Sequence, residues 1–345
     1  MNKPPKTTIG SHYNPKFILR YFVDATGLVL CYRLKEQKWY SNKPEEAGVE
    51  KNLYRVTHPN VADPQWLENA FSDVEGLVGP TIGSIVKNSG LSGTPEETTH
   101  LNLFVADSAF RVPHAKTINE YLMDAVMRNW VVGLFENPEH WQHFQEYRRA
   151  KGEEVLDSEQ AKYIDMARNG SVQIEKYEGW IWRFLAIEST KVAFSILSSF
   201  SWRLWTCPDP AKACIVTSDT PVGLLQIRDA GAGRIGTKMI ESGVIGHWRL
   251  ATQVSIPLSK THVLIGNRRG AAELGPVSDD MAWFNTITCW FAATVFSSSK
   301  VPRFQLPNGQ VTGISHFASK LDQHRRGAPP AEVILPKPVR PTPPV

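Results

Sequence analysis

Several short stretches of this 345-residue sequence combine reactive side chains with spacings that chemistry uses. In GAGRIG, residues 231–236, glycines stand as in a dinucleotide-binding loop, where a tight turn lets backbone N–H groups approach a pyrophosphate. Such a loop also requires a strand before it, a helix after it and an acid about 20 positions on. Here the next acid after Glu241 is Glu273, and Thr237-Lys238 reverses the Lys-Ser/Thr order of a phosphate loop. The expectation for residues 231–236 is therefore a hairpin loop.

In NPEHWQHFQE, residues 137–146, the spacing puts Glu139, His143 and Glu146 on one helical face, a carboxylate–imidazole set of the kind that holds a divalent ion in helical bundles. A bundle site needs a matching Glu-x-x-His on a second helix, and the sequence has none, so the expectation is a solvated polar face. In TSDTPV, Ser218 lacks the Gly-x-Ser-x-Gly frame of a nucleophilic serine. Asp219 follows the apolar run ACIVT, where a strand end either presents its carboxylate to a cleft or closes an Asx-type turn. His324-Arg325-Arg326 is a basic triplet expected to be solvated near the C-terminal end.

The elements that must position these residues follow from periodicity and capping. Asp63-Pro64 and Asn137-Pro138 are helix-start signals, and apolar residues recur at spacings of three and four after Trp66, across 101–109 and across 118–135. Further helices are expected over 138–151, from 157 or 158 toward 168, over 175–198, and over 279–298. The runs WRLWTC, ACIVTS, VGLLQI, TQVSIPLS and THVLIG read as strands, and LVLCYRL with KWYSNKP reads as a hairpin. The class is α+β: a largely helical middle, about 63–198, set between an N-terminal hairpin and strands at about 200–267, with a closing helix at about 279–298. Residues 1–10 are expected to be a flexible lead, 11–300 one domain, and 301–345 a proline-rich basic tail.

Composition narrows the function. With 42% hydrophobic residues the chain can bury a large core. The net charge of +4 is uneven, because residues 300–345 carry seven Lys or Arg against two acids, leaving 31 basic and 32 acidic residues in the rest. That distribution does not support a uniformly basic nucleic-acid-binding face. No charge-free run of about 18 apolar residues and no signal-like segment is seen, so neither membrane contact nor secretion is expected, and the chain reads as cytosolic. The four cysteines fit no zinc spacing and read as buried thiols.

The opening SHYNPKFILRYF, residues 11–22, resembles that of a bacterial family, domain of unknown function 4238, whose members begin His-Tyr-x-Pro-x-Phe-x-Leu-Arg-x-Phe. His12, Tyr13, Pro15, Phe17, Leu19, Arg20 and Phe22 match. Asn52-Leu53-Tyr54, a following helix with Glu68 and Glu75, the Arg111-x-Pro113 element, Ser218-Asp219-Thr220-Pro221, the run from Ser255 to Ser259 and Asn285 extend the likeness over about 11–298. The resemblance implies a shared fold and carries no activity with it. Its polar residues allow two readings. In one, the catalytic pair is His12 as proton donor and Asp219 as its orienter or as a metal ligand, while Arg20, Arg111 and Ser218 bind a phosphate-bearing substrate or nucleic acid, as in a hydrolase or a defence effector. In the other, the chain is a non-catalytic interaction module in which these residues pin the N-terminal segment to the core, His12 capping the first helix and Arg111 pairing with Asp219. The first requires a shared open pocket and the second a sealed network with an apolar patch elsewhere. Cofactor and metal dependence are left open by the residues.

Overall fold

The structure is a computed structural model and describes residues 10–56, 63–169, 180–209, 212, 214–231, 234–271, 280–327 and 333–336. It begins with β1 (Gly10–His12), a one-turn helix α1 (Lys16–Leu19), the hairpin β2 (Val29–Arg33) and β3 (Lys38–Asn42), and β4 (Val49–Lys51), which returns to pair with β1. Six helices follow: α2 (Trp66–Asn88), α3 (Pro95–Phe110), α4 (Pro113–Glu136), α5 (Pro138–Ala150), α6 (Gln160–Asn169) and α7 (Trp180–Leu197). Then come β5 (Phe200–Thr206), β6 (Thr217–Ser218), β7 (Gly223–Gly231), β8 (Arg234–Ile240), the short α8 (Ile245–Trp248), β9 (Gln253–Ser259) and β10 (His262–Arg268). The chain closes with α9 (Asp280–Cys289), β11 (Thr294–Ser297), β12 (Arg303–Gln305), β13 (Val311–Gly313), α10 (Ile314–Gly327) and β14 (Val333–Pro336). The fold is α+β with antiparallel sheets.

Local chemistry sets the helix boundaries. Thr94 Oγ1 accepts the N–H of Glu97 and Pro95 opens α3, while Asn137 Oδ1 accepts the N–H groups of Glu139 and His140 ahead of Pro138. Asp63 accepts from the N–H of Gln65, and the helix starts three residues after it, at Trp66. Between α3 and α4 stand only Arg111 and Val112. Pro113 disfavours helical geometry at Val112, so α3 must stop with Arg111 as its C-terminal cap.

A six-stranded sheet runs in the order β14-β8-β7-β9-β10-β5 and a four-stranded one in the order β3-β2-β11-β6. Every residue of α9 from Met281 to Cys289 is buried, and the helix packs against β6 of the smaller sheet and β7 and β9 of the larger. It approaches β7 so closely that a Cβ at Gly223 would collide with Ile287. The GAGRIG stretch joins β7 to β8 as antiparallel neighbours, with Gly231 opposite Arg234, and no helix follows as a nucleotide loop requires.

Three elements differ from the sequence expectation. The helix expected over 279–298 ends at Cys289, because β-branched Thr294 and Val295 enter a ladder between β2 and β6. Of the run expected as a strand over 213–218, residue 213 lies outside the described residues, and among 214–218 only Thr217 and Ser218 join a ladder. The Val216 N–H and the Cys214 carbonyl instead bond to the Asn285 side chain, which is buried in α9. The segment after residue 301 packs as well: Phe304, Leu306, Ile314, Phe317 and Leu321 join the same buried cluster as Phe22, Phe104, Leu197 and Val254. The prolines concentrate beyond residue 328, so the amphipathic stretch before them is free to form α10.

Candidate functional site

The opening segment is tied to the rest of the chain at two points. At the first, Arg111 lies only 2% exposed at the end of α3. Its Nη1 donates to Asp107 Oδ2 at 3.1 Å, and its Nη2 donates to Glu75 Oε1 at 2.8 Å and to the His12 carbonyl at 2.7 Å. One guanidinium thus joins β1, α2 and α3. It also lies over the Phe71 ring at 4.9 Å, and the Tyr54 hydroxyl donates to the Arg111 carbonyl at 2.5 Å. Glu68, Phe71 and Glu75 fall at spacings of three and four on α2, which puts two carboxylates and the ring along one side of that helix.

At the second point the bonds are to backbone groups. Asn14 Nδ2 donates to the Ser218 carbonyl at 2.7 Å, and Ser218 Oγ donates to the Thr288 carbonyl at 2.8 Å. Asp219 accepts the N–H of Ala293 through Oδ1 and that of Thr294 through Oδ2, both at 2.9 Å, so its carboxylate starts β11. Burial, then the charge of Asp219, push the Tyr13 phenol up.

Several residues lie apart from their expected partners. Arg111 pairs with Asp107 and Glu75, not with Asp219, because α3 delivers its side chain to α2 while Asp219 faces the start of β11. His12 does not cap α1: the N-cap is Pro15 and no side chain bonds there, since His12 is committed to the β1–β4 ladder opposite Val49. Arg20 stands at the surface, 62% exposed, paired with Glu45 at 3.2 Å. Asp107 is not singled out by the sequence reading, although its place four residues before Arg111 on a helix is the available signal.

The network perturbs its own ionisation. Burial, with Lys16 and Arg111 nearby, lowers His12 to about 4, while the Ala47 backbone and Glu45 act the other way. Burial raises Asp107 to about 6 against the pull of Arg111, and raises Glu68 in spite of a hydrogen bond from Ser11. Burial alone would lower Arg111, but Asp107, Tyr54 and Glu75 outweigh it and hold the guanidinium charged. A guanidinium so committed leaves no fork for a phosphate. Among the described residues no cluster of His, Cys, Asp or Glu is placed to hold a metal ion, and Glu139, His143 and Glu146 stand exposed on α5. A cleft of about 710 Å³ lies beside α10, floored by Trp290, Leu306, Phe317 and Leu321, and neither His12, Arg20, Arg111, Ser218 nor Asp219 lines it. No helix among the described residues is long and apolar enough to cross a membrane.

No curated protein and no solved structure matches the chain. The family model described as "Protein of unknown function (DUF4238)" matches residues 11–300. That span holds the opening segment, both of its anchoring points and the helix that supplies Asn285, and the chain belongs to this family.

Proposed function

We propose that this chain is a protein-interaction module whose motif residues hold the fold and whose contact surface is α4. The observation that carries the reading is the exposed face of that helix. The side that buries Ala115 and Asn119 near the start of α4 runs on into Leu122, Val126, Asn129, Trp130 and Gly133, all exposed and none charged. Val126 is 60% and Trp130 58% exposed. The ion pair Asp124–Arg128, at 2.8 Å, lies off this stripe. An apolar helical stripe seeks apolar cover, and one without charge has nothing to steer a charged partner such as nucleic acid. It suits a second copy of itself across a two-fold axis, each Trp130 covered by the other chain.

Sedimentation velocity over a concentration series tests this. The wild type should show mass doubling, and Val126→Asp with Trp130→Asp should stay monomeric with an unchanged melting temperature. A wild type that is monomeric at its highest soluble concentration rules out the second copy as the occupant.

A second reading rests on a different observation, the opposed displacement of His12 and the carboxylates of Glu68 and Asp107 within one cluster. Under it the chain is a cytoplasmic bacterial hydrolase or defence effector, with neutral His12 as the base acting on a phosphate-bearing substrate or nucleic acid. Phosphate-ester and nuclease assays test it. Activity lost in His12→Ala at unchanged melting temperature supports it, and no turnover by the wild type sinks it.

A further inference from the structure

His262 opens β10 beneath the C-terminal end of α2 and is 5% exposed. Its Nδ1 lies 2.8 Å from Ser259 Oγ and 2.8 Å from Thr261 Oγ1, and its Nε2 lies 3.0 Å from Ser89 Oγ. Ser89 is exposed and ends α2 with φ 52°. An L-residue is strained in that left-handed conformation, which is why glycine usually fills it. In this chain Gly90 comes one position later, and a hydroxyl occupies the strained site.

The surrounding hydroxyls accommodate a ring that carries its hydrogen on Nδ1. Ser259 Oγ accepts the Thr261 N–H at 3.1 Å and lies 3.0 Å from Thr261 Oγ1, to which its own proton can go. With the Thr261 proton turned away from the ring as well, the ring hydrogen is carried on Nδ1 and donates into the Ser–Thr pair, and the Nε2 lone pair faces the Ser89 hydroxyl; this is the tautomer that a base at Nε2 requires. Nucleophile, base and orienting group then stand in the order that activates a serine.

We propose that Ser89 is a nucleophilic serine activated by His262, and that the chain hydrolyses small carboxylic esters there. Ser89 Oγ attacks the acyl carbon as its proton moves to His262 Nε2. The tetrahedral adduct collapses, the bond from carbon to the alcohol oxygen breaks, and the alcohol leaves with the proton from Nε2. Water, deprotonated by the same nitrogen, then attacks the acyl-serine, releasing the acid and restoring the Ser89 hydroxyl. The oxyanion is assigned to the N–H of Gly90, the residue next after the nucleophile. Burial pushes the His262 pKa down, which favours the neutral ring. Ser89 is exposed, so an ester in solution can reach its hydroxyl. This site is separate from the α4 face and from His12, and its fate decides nothing about either.

The test is to treat the full chain with a fluorophosphonate probe and locate the adduct by peptide mass, alongside hydrolysis of p-nitrophenyl acetate. The expected result is one adduct on Ser89, with hydrolysis falling about 100-fold in Ser89→Ala, the low end of what an activated group supplies. Ser89→Gly should lose the adduct too while melting no lower than wild type, because glycine relieves the φ 52° strain. Since His262 is buried and its variants risk misfolding, the Ser89 variants decide the matter. An adduct spread over other surface serines, or hydrolysis unchanged in Ser89→Ala, overturns the proposal.

Discussion

Arg111 and Arg20 are both arginines of the resembling elements, and the fold treats them in opposite ways. Arg111 is 2% exposed and joins three elements through two carboxylates and a carbonyl, whereas Arg20 is 62% exposed and meets Glu45 across solvent. A buried charge is tolerable only with its partners in place, so the first site is rigid and intolerant of change. A surface pair competes with water and salt, so the second is expendable. Residue type alone does not separate the two roles.

The sharpest way to break that contrast is at Arg111 itself. Arg111→Met strands Asp107 in the interior and should cost about 3–5 kcal/mol, read as a shift in the denaturant midpoint. A loss no larger than that of a surface substitution would show that the network does not hold the fold. Next comes the backbone-bonded anchor. Asp219→Ala leaves the Ala293 and Thr294 N–H groups without their acceptor and should cost about 2 kcal/mol by chemical denaturation, with hydrogen exchange accelerated at those two amides.

Acid titration gives a smaller, signed effect. The folded pKa of His12 is depressed to about 4, so between pH 6.5 and 4 the unfolded chain binds a proton that the folded chain refuses, and stability is lost as pH falls. Asp107 is raised to about 6, so it adds stability as pH falls from 6 to 4, and Glu68 shifts in the same direction. The wild type should therefore be nearly flat between pH 6 and 4, and His12→Ala should gain stability on acidification, followed by urea midpoints. If His12→Ala instead loses stability over that range, the opposition is not there. Smallest of all, Arg20→Ala should melt with the wild type, and a clear drop would mean that the surface pair matters more than its exposure allows.

Much of the scaffold was legible in the chain. Asn137-Pro138 and the spacing after Trp66 marked helices that form within a few residues of their expected bounds, because caps and amphipathic periodicity act between residues a few positions apart. The 279–298 segment reads as one helix because Trp290 and Phe291 continue the apolar pattern past Cys289, and only β2 and β6 on either side make a strand of Thr294–Ser297. Of the candidate site, Arg111, His12 and Glu75 are all legible as residues of the resembling elements, but not their pairing, since Glu75 lies 36 residues from Arg111; Asp107, one helical turn away, carries no motif of its own.

By itself the sequence determined the α+β class, the starts of α2, α5, α6 and α9 to within a few residues, the first hairpin and the segment that opens the fold. The tertiary structure alone decided that His12 meets Arg111 across 99 residues, that Asn14 meets Ser218 across 204, and that Ser89 meets His262 across 173. The reason is physical. Local rules fix dihedrals and faces over one or two turns, while the meeting of distant polar groups is set by which faces must be buried together.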